Sequence, residues 1–147
     1  MYMDRKTALV REQVLLQIPR SPEYVSLVRH AVGGLAHRLR FTSQDVTDLQ
    51  LAVGEACNNA VKHSDNGCDY PVRIRCTVGP RALEIEVRNR YCGVPPQRPI
   101  GCCPDPNECS EGGMGVYIMK TLMDRVHFRW GKSTATVRLT KKLPRPS

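Results

Sequence analysis

The spacing of apolar positions predicts three helices. In "SPEYVSLVRHAVGGLAHRLR" (21–40), apolar residues recur at helical spacing behind Ser21 as a cap and Pro22 in the first turn. A second helix is predicted from "FTSQDV" to about His63, and Thr42 and Asp45 in it have the spacing of a capping box. A third is predicted for "MGVYIMKTLMD" (114–124).

Alternating apolar and polar positions predict the strands. "VRIRCTV" and "ALEIEVRN" form one predicted hairpin, and "RVHFRW" and "TATVRLTKK" form another. The apolar run "VLLQIP", ended by Pro19, predicts a first strand. The resulting order, β-α-α-β-β-loop-α-β-β, predicts an α+β fold. We expect a two-layer α/β sandwich, with a mixed, mostly antiparallel sheet and helices on one face.

The chain length of 147 residues suits one domain, and we expect its core to span about 14–142. The segment between the second hairpin strand and the third helix departs from every regular pattern. It contains five of the eleven prolines and four of the seven cysteines. Loops of this length inside a small domain are usually functional or disordered. We therefore predict a lid loop at about 91–112.

Composition narrows the function classes. The net charge of +8 suits an anionic partner, or else a solvated basic surface. No basic helix, zinc finger or aromatic platform is recognisable, so direct nucleic-acid binding is not expected. No apolar run approaches the ~20 residues of a membrane span, and the charged start is not typical of a secretory signal. The expected location is cytoplasmic, without a membrane partner.

The cysteines are interpreted as reduced thiols. Seven is an odd number, which argues against a secreted disulfide framework. The lid cysteines lack the paired C-x-x-C spacing of zinc sites. Lid thiols without a role are the default, and a zinc site or a switchable disulfide is the alternative. The four lid cysteines are Cys92, Cys102, Cys103 and Cys109.

The stretch "EACNNAVKH" contains polar side chains that do not stabilise a helix. Asparagine is a poor helix former, yet two stand in the middle of the second helix. Helical geometry stacks Glu55, Asn59 and His63 on one face, one turn apart. An amide oxygen can bind Mg²⁺, and a carboxylate can orient or deprotonate a nucleophile. The alternative interpretation is a polar helix face exposed to solvent.

A second candidate site is the glycine-rich start of the third helix. In "EGGMGVY", Gly112, Gly113 and Gly115 stand where a phosphate could approach free backbone N–H groups. The segment is not a P-loop, because no Lys and Ser/Thr follow at the required offset. The alternative is a flexible hinge that ends the loop.

Taken together, these segments resemble the GHKL ATPase superfamily, with its Bergerat ATP-binding fold. "GEACNNAVKHS" resembles the N-box, and "GGMGVYIMKTLMDRV" resembles the second glycine box. "VRNRYCGVP" stands where the first glycine box belongs. Within the superfamily, the sequence is most similar to the small serine-protein-kinase anti-sigma factors of bacteria, from roughly Val14 to Lys142.

This resemblance implies a role for each matching residue. Glu55 would be the catalytic base, Asn59 would bind Mg²⁺, and Asn89 would face the adenine amino group. The remaining cofactor-binding candidates are Lys62 and His63 at the end of the helix, Gly93 beside the adenine, and Gly113, Met114 and Gly115 around the phosphates. The implied cofactors are ATP and Mg²⁺.

The sequence departs from the family pattern at the adenine contact. Asn89 and Tyr91 stand where the family has aspartate and glycine. Two hypotheses follow. The first is an ATP-dependent serine/threonine-protein kinase and anti-sigma factor, a homodimer whose partners are a sigma factor and an anti-sigma-factor antagonist. The alternative is a protein-binding regulator of the same fold, with weak or lost nucleotide binding and no kinase activity.

Overall fold

The computed structural model describes residues 12–62, 69–91 and 111–145, with the side chains of 111–113 left out. Within these residues the element order is the predicted one. The strands are β1 (Glu12–Ile18), β2 (Val72–Val78), β3 (Ala82–Arg90), β4 (Arg125–Trp130) and β5 (Thr134–Lys142). The helices are α1 (Val25–Arg38), α2 (Ser43–Lys62) and α3 (Glu111–Leu122), and a 3₁₀ turn, Pro22–Tyr24, precedes α1.

The five described strands form one sheet in the order β1-β2-β3-β5-β4. All four pairings between them are antiparallel, so this part of the sheet contains none of the parallel pairing that a mixed sheet would include. β3 lies at the centre, where Asn89 pairs with Ala135 of β5. The C-terminal end of β3 therefore projects from the middle of the sheet, beneath the helices.

The helices cover one face of the sheet, called here the inner face. Alternate residues of β2, β3 and β5, including Ile74, Ile85 and Leu139, are almost fully buried there against the helices. The side chains between them are polar or charged and form the outer face. Hydrophobic burial on one side thus fixes which strand residues face the helices.

Close packing of α1 against α2 sets the orientation of α2. A Cβ atom on Gly33 would come within 2.3 Å of Gln50 Nε2. The same amide group donates a hydrogen bond to the Arg29 carbonyl at 3.1 Å. A side chain at position 33 would make the Gln50 amide move, so glycine in the interior of α1 favours this hydrogen bond. One face of α2 packs against α1. The turn of α2 from Glu55 to Asn59 lies instead against α3.

Local sequence signals explain the helix starts. The Thr42 hydroxyl accepts a hydrogen bond from the Asp45 backbone N–H at 3.1 Å, as the predicted capping spacing requires. Helix α3 begins at Glu111, three residues before the predicted start, so its opening turn includes the glycines. Residues 111 and 112 of the predicted lid therefore belong to α3, and residues 92–110 of it lie outside the described residues. No described helix is both long and apolar enough to span a bilayer.

Candidate functional site

Helices α2 and α3 bring the two sequence motifs together. A Cβ atom placed on Gly115 would lie 2.9 Å from Glu55 Oε2 and 3.6 Å from both Asn59 Oδ1 and Asn59 Nδ2. Glu55 and Asn59 are half-buried, whereas Gly115 is buried. One carboxylate, one amide and the first turns of a helix therefore meet at one place, although 56 residues separate Asn59 from Gly115.

Gly115 has a specific steric reason to be glycine. The 2.9 Å distance is shorter than Cβ atoms normally tolerate, so any side chain would push the Glu55 carboxylate aside. The bare backbone allows α3 to approach α2 at this level. By general helix geometry, the first turn of α3 offers N–H groups without a partner inside the helix and the positive end of the helix dipole, both of which suit an anion.

Asn89 and Asn59 line one cavity on the inner face. The enclosed volume is about 30 Å³, and it lies between α2 and the central strands. Asn89 is 8% exposed and is one of two polar residues buried in the described part of the chain. An asparagine that sits among apolar side chains offers both a donor and an acceptor to whatever enters the cavity.

Residues that sequence reasoning missed form much of this cavity. Its walls include Met119 of α3 and the aromatic side chains of Phe128 and Trp130 on β4. The available signal was the alternation of "RVHFRW", because Phe128 pairs with Val137 and Trp130 with Ala135, both buried on the inner face. An apolar and aromatic wall around one buried amide is typical of a site for a planar base.

Tyr91 does not occupy the position that the sequence suggested. We expected it at the adenine contact, but it is not among the residues that line the cavity. Its hydroxyl donates a hydrogen bond to the Gly131 carbonyl at 2.6 Å, and its backbone N–H donates to the Ser133 carbonyl at 2.9 Å. These two bonds hold Tyr91 against the β4–β5 turn. Of the two residues that depart from the family pattern, Asn89 is the one that lines the cavity.

The other candidate residues have less defined surroundings. Lys62 is exposed at the end of α2, and Met114 is 43% exposed on α3. Gly113 belongs to the first turn of α3. His63, Gly93 and the four lid cysteines lie outside the described residues.

Two cysteines that lie outside the lid are free and buried. Burial raises the pKa of the Cys57 thiol to about 12 and that of Cys76 to about 11. For Cys57, the nearby Arg29 guanidinium opposes this shift and Cys76 adds to it, both with smaller effects. Both side chains therefore remain neutral thiols at physiological pH and act as small apolar core residues.

The donor set fits a magnesium-bound triphosphate. Asn59 offers a hard amide oxygen, and no group of three or more acidic, histidine or cysteine side chains occurs among the described residues. With one protein ligand, most coordination positions of the ion would be filled by phosphate oxygens and water, which is the coordination that Mg²⁺ prefers. The cavity beside Asn89 has room for only one or two waters, so a purine ring requires its walls to move apart. Fold and site together define a nucleotide-binding domain of the ATPase class.

The chain belongs to the histidine kinase-like ATPase domain family, whose model matches residues 18–141. The Serine-protein kinase RsbW of Bacillus velezensis is 37% identical over 139 residues, covering 90% of this chain and 86% of that protein. The Serine-protein kinase RsbW of Bacillus subtilis is 35% identical over 145 residues, covering 90% and 86% respectively. The expected superfamily resemblance is confirmed.

The fold also matches a solved structure. The crystal structure of the RsbU and RsbW domains of Rv1364c from Mycobacterium tuberculosis superposes with a TM-score of 0.69 and 16% sequence identity. The match covers 92% of this chain and about a third, 34%, of that one. At this identity the comparison establishes the fold, and it confirms the predicted α+β sandwich.

Proposed function

We propose that this protein is an ATP-dependent serine/threonine-protein kinase that phosphorylates an anti-sigma-factor antagonist and binds a sigma factor in a partner-switching system. The observation that carries the proposal is the contact geometry of Glu55, Asn59 and Gly115 at the opening of α3. The names of the relatives, which are serine-protein kinases, favour this function over a regulator without kinase activity.

Each residue has one task in this mechanism. Asn59 Oδ1 would hold the metal ion, which would supply positive charge to the phosphate oxygens, and the N–H groups at the start of α3 would bind the phosphates. Glu55 accepts the proton of the acceptor serine hydroxyl as the serine oxygen bonds to the terminal phosphorus, and the bond from that phosphorus to ADP breaks so that ADP leaves. Asn89 positions the base from the far end of the cavity. Catalysis of this kind consists mainly of positioning and charge stabilisation, so the placement of these groups on α2, α3 and β3 around one site is the essential feature.

The proposal is tested by phosphoryl transfer itself. The full chain is incubated with Mg²⁺ and γ-labelled ATP, together with each anti-sigma-factor antagonist encoded in the same genome. We expect label on one serine of one antagonist, and no label when that serine is replaced by alanine. Saturable ATP binding without transfer to any antagonist would instead support the regulator without kinase activity.

Asn89 is proposed to weaken both affinity and base selectivity. A carboxylate accepts the adenine N6–H strongly, whereas an amide can also turn its NH₂ toward guanine O6. A hydrogen bond to a charged group contributes ~1.5–3 kcal/mol against ~0.5–1.5 for a neutral one, so Asn89→Asp should tighten ATP binding about tenfold. In the parent chain, we expect ATP to be preferred over GTP by less than about tenfold.

Calorimetric titration of both nucleotides at fixed Mg²⁺ measures these affinities. The double change Asn89→Asp, Tyr91→Gly tests the complete family pattern, and Tyr91→Phe is the control because it removes only the hydrogen bond to Gly131. A parent protein that already prefers ATP a hundredfold would contradict this account of the cavity.

We further propose a cytoplasmic homodimer in which β1 takes part. β1 is an edge strand, and its Leu15 side chain is 69% exposed. Exposed edge strands with apolar side chains are ready to pair with another chain. Light scattering should give twice the monomer mass, and Leu15→Lys should shift the protein toward the monomer. A monomer at high micromolar concentration in the parent protein would refute the dimer.

A further inference from the structure

The outer face of the sheet is strongly basic. Its described positions carry seven arginines and only two glutamates, Glu84 and Glu86. The excess is larger than random surface scatter gives, because both charges of a solvated surface are normally interspersed. The seven arginines are Arg73, Arg75, Arg88, Arg90, Arg125, Arg129 and Arg138.

Two of these arginines share one carboxylate on the same face. Glu86 accepts hydrogen bonds from Arg75 and, at 2.8 Å, from Arg138 Nη2. Burial opposes ionisation of Glu86, yet the two guanidinium partners hold its pKa below its ordinary value. Glu86 is therefore a charged bridge between β2 and β5 that compensates Arg75 and Arg138 in part and leaves one net positive charge on the three side chains.

The adjacent arginines lack such compensation. Arg73 and Arg88 are direct cross-strand partners in the β2–β3 ladder. Like charges in directly opposite positions destabilise a sheet. Arg73 Nε donates only to the Gln17 side-chain oxygen at 3.3 Å, and Arg88 Nε only to the Thr136 hydroxyl at 3.4 Å. Within the described residues, neither guanidinium pairs with a carboxylate.

A cavity opens beside this pair. It has a volume of about 210 Å³, and Arg73, Arg88 and Arg90 contribute to its lining together with the hydroxyl-bearing Ser133 and Thr134. Among the described residues that line it, none carries a carboxylate. The ring of Tyr70, also in the wall, lies under the Arg90 guanidinium at 4.4 Å, which orders that side of the cavity.

We propose that this cavity is a binding site for a phosphate group, separate from the nucleotide site. Guanidinium groups match phosphate oxygens with paired N–H donors, and the two hydroxyls can donate to the remaining oxygens. A dianion between Arg73 and Arg88 also removes their mutual repulsion. Asn89 lies between Arg88 and Arg90 in β3, and its side chain points to the inner face, so the two sites are on opposite sides of one strand.

The matched experiment compares two double variants with the same loss of charge. Arg73→Gln, Arg88→Gln removes the opposed pair, whereas Arg125→Gln, Arg129→Gln removes two outer-face arginines of β4 that do not line the cavity. Each is titrated calorimetrically with inorganic phosphate, without nucleotide and at constant ionic strength. We expect the first variant to weaken phosphate binding at least about tenfold and the second to leave it within about twofold.

The melting temperature of each protein without phosphate provides a second readout. Without phosphate, the Arg73→Gln, Arg88→Gln variant should melt no lower than the parent chain, because a repulsive pair is removed. Arg73→Lys, Arg88→Lys keeps both charges and tests the site again without a change in net charge. It should weaken phosphate binding by losing the paired donors. Equal phosphate affinity in all variants, or no saturable binding by the parent chain, would overturn the site.

The chemical source of the phosphate is distinguished by peptide titrations. If a phosphoserine peptide binds more tightly than inorganic phosphate, the natural ligand of the cavity is a phosphoester. If inorganic phosphate binds more tightly than the peptide, the natural ligand is the free anion. Both results support the site. Equal binding of a glutamate-containing peptide would overturn the phosphate assignment and indicate a general acidic partner. Because the site lies away from Glu55 and Asn59, its failure leaves the kinase proposal untouched.

Discussion

Replacement of Glu55 by glutamine is expected to lower the rate of phosphoryl transfer by about 10²–10⁴-fold while leaving Mg-ATP affinity nearly unchanged. Glutamine keeps the size and polarity of the side chain but cannot accept the serine proton. The carboxylate lies at the opening of α3 beside Asn59, where an acceptor hydroxyl and the terminal phosphate would meet. A group that acts on the nucleophile should affect turnover far more than ground-state binding.

Single-turnover transfer to the cognate antagonist, with ATP affinity measured separately, separates these effects. Glu84→Gln is the matched control, because it makes the same chemical change on the outer face of the sheet. Transfer at the parental rate by the Glu55→Gln chain would show that another group accepts the proton. A parallel loss of ATP affinity would instead place Glu55 among the nucleotide ligands.

The sheet illustrates how much of the fold a period-two pattern contains. "RVHFRW" and "TATVRLTKK" predicted β4 and β5 at their observed bounds, because one buried face forces apolar residues onto alternate positions. The capping spacing at Thr42 likewise predicted the start of α2. By contrast, the start of α3 was placed three residues late, since glycines weaken a helix but are tolerated in its first turn.

The candidate site was predictable only as separate motifs. Helical spacing placed Glu55 and Asn59 on one face, but the contact with Gly115 depends on how α2 and α3 pack. Tyr91 was misplaced because sequence position alone does not reveal the hydrogen bond to Gly131. Arg73 and Arg88 lie opposite each other because of the register between β2 and β3. That register cannot be predicted from a local sequence pattern. The family match at 18–141 shows the histidine kinase-like ATPase domain that local chemistry alone left open.

The adjacent asparagines of α2 allow the metal assignment to be tested within one helix. Asn59 faces Gly115 and lines the cavity that also contains Asn89, whereas Asn58, the preceding residue, is not among the residues that line it. Successive helix residues point about 100° apart, so only one of the two can serve this site. Two identical substitutions at neighbouring positions therefore differ mainly in the function that they remove.

Asn59→Ala is expected to abolish the Mg²⁺ dependence of ATP binding and to lower Mg-ATP affinity by at least about 10–100-fold, the range for groups that support a metal site. Asn58→Ala should leave both within about twofold, and both variants should keep the parental melting temperature within a few degrees because each side chain is half-buried rather than in the core. ATP titrations with Mg²⁺ and with EDTA measure the dependence directly. If the Asn59→Ala chain still binds ATP more tightly with Mg²⁺ than with EDTA, Asn59 is not the metal ligand. An equal loss of Mg-ATP affinity in Asn58→Ala would show that the substitutions disturb the helix rather than remove one specific amide.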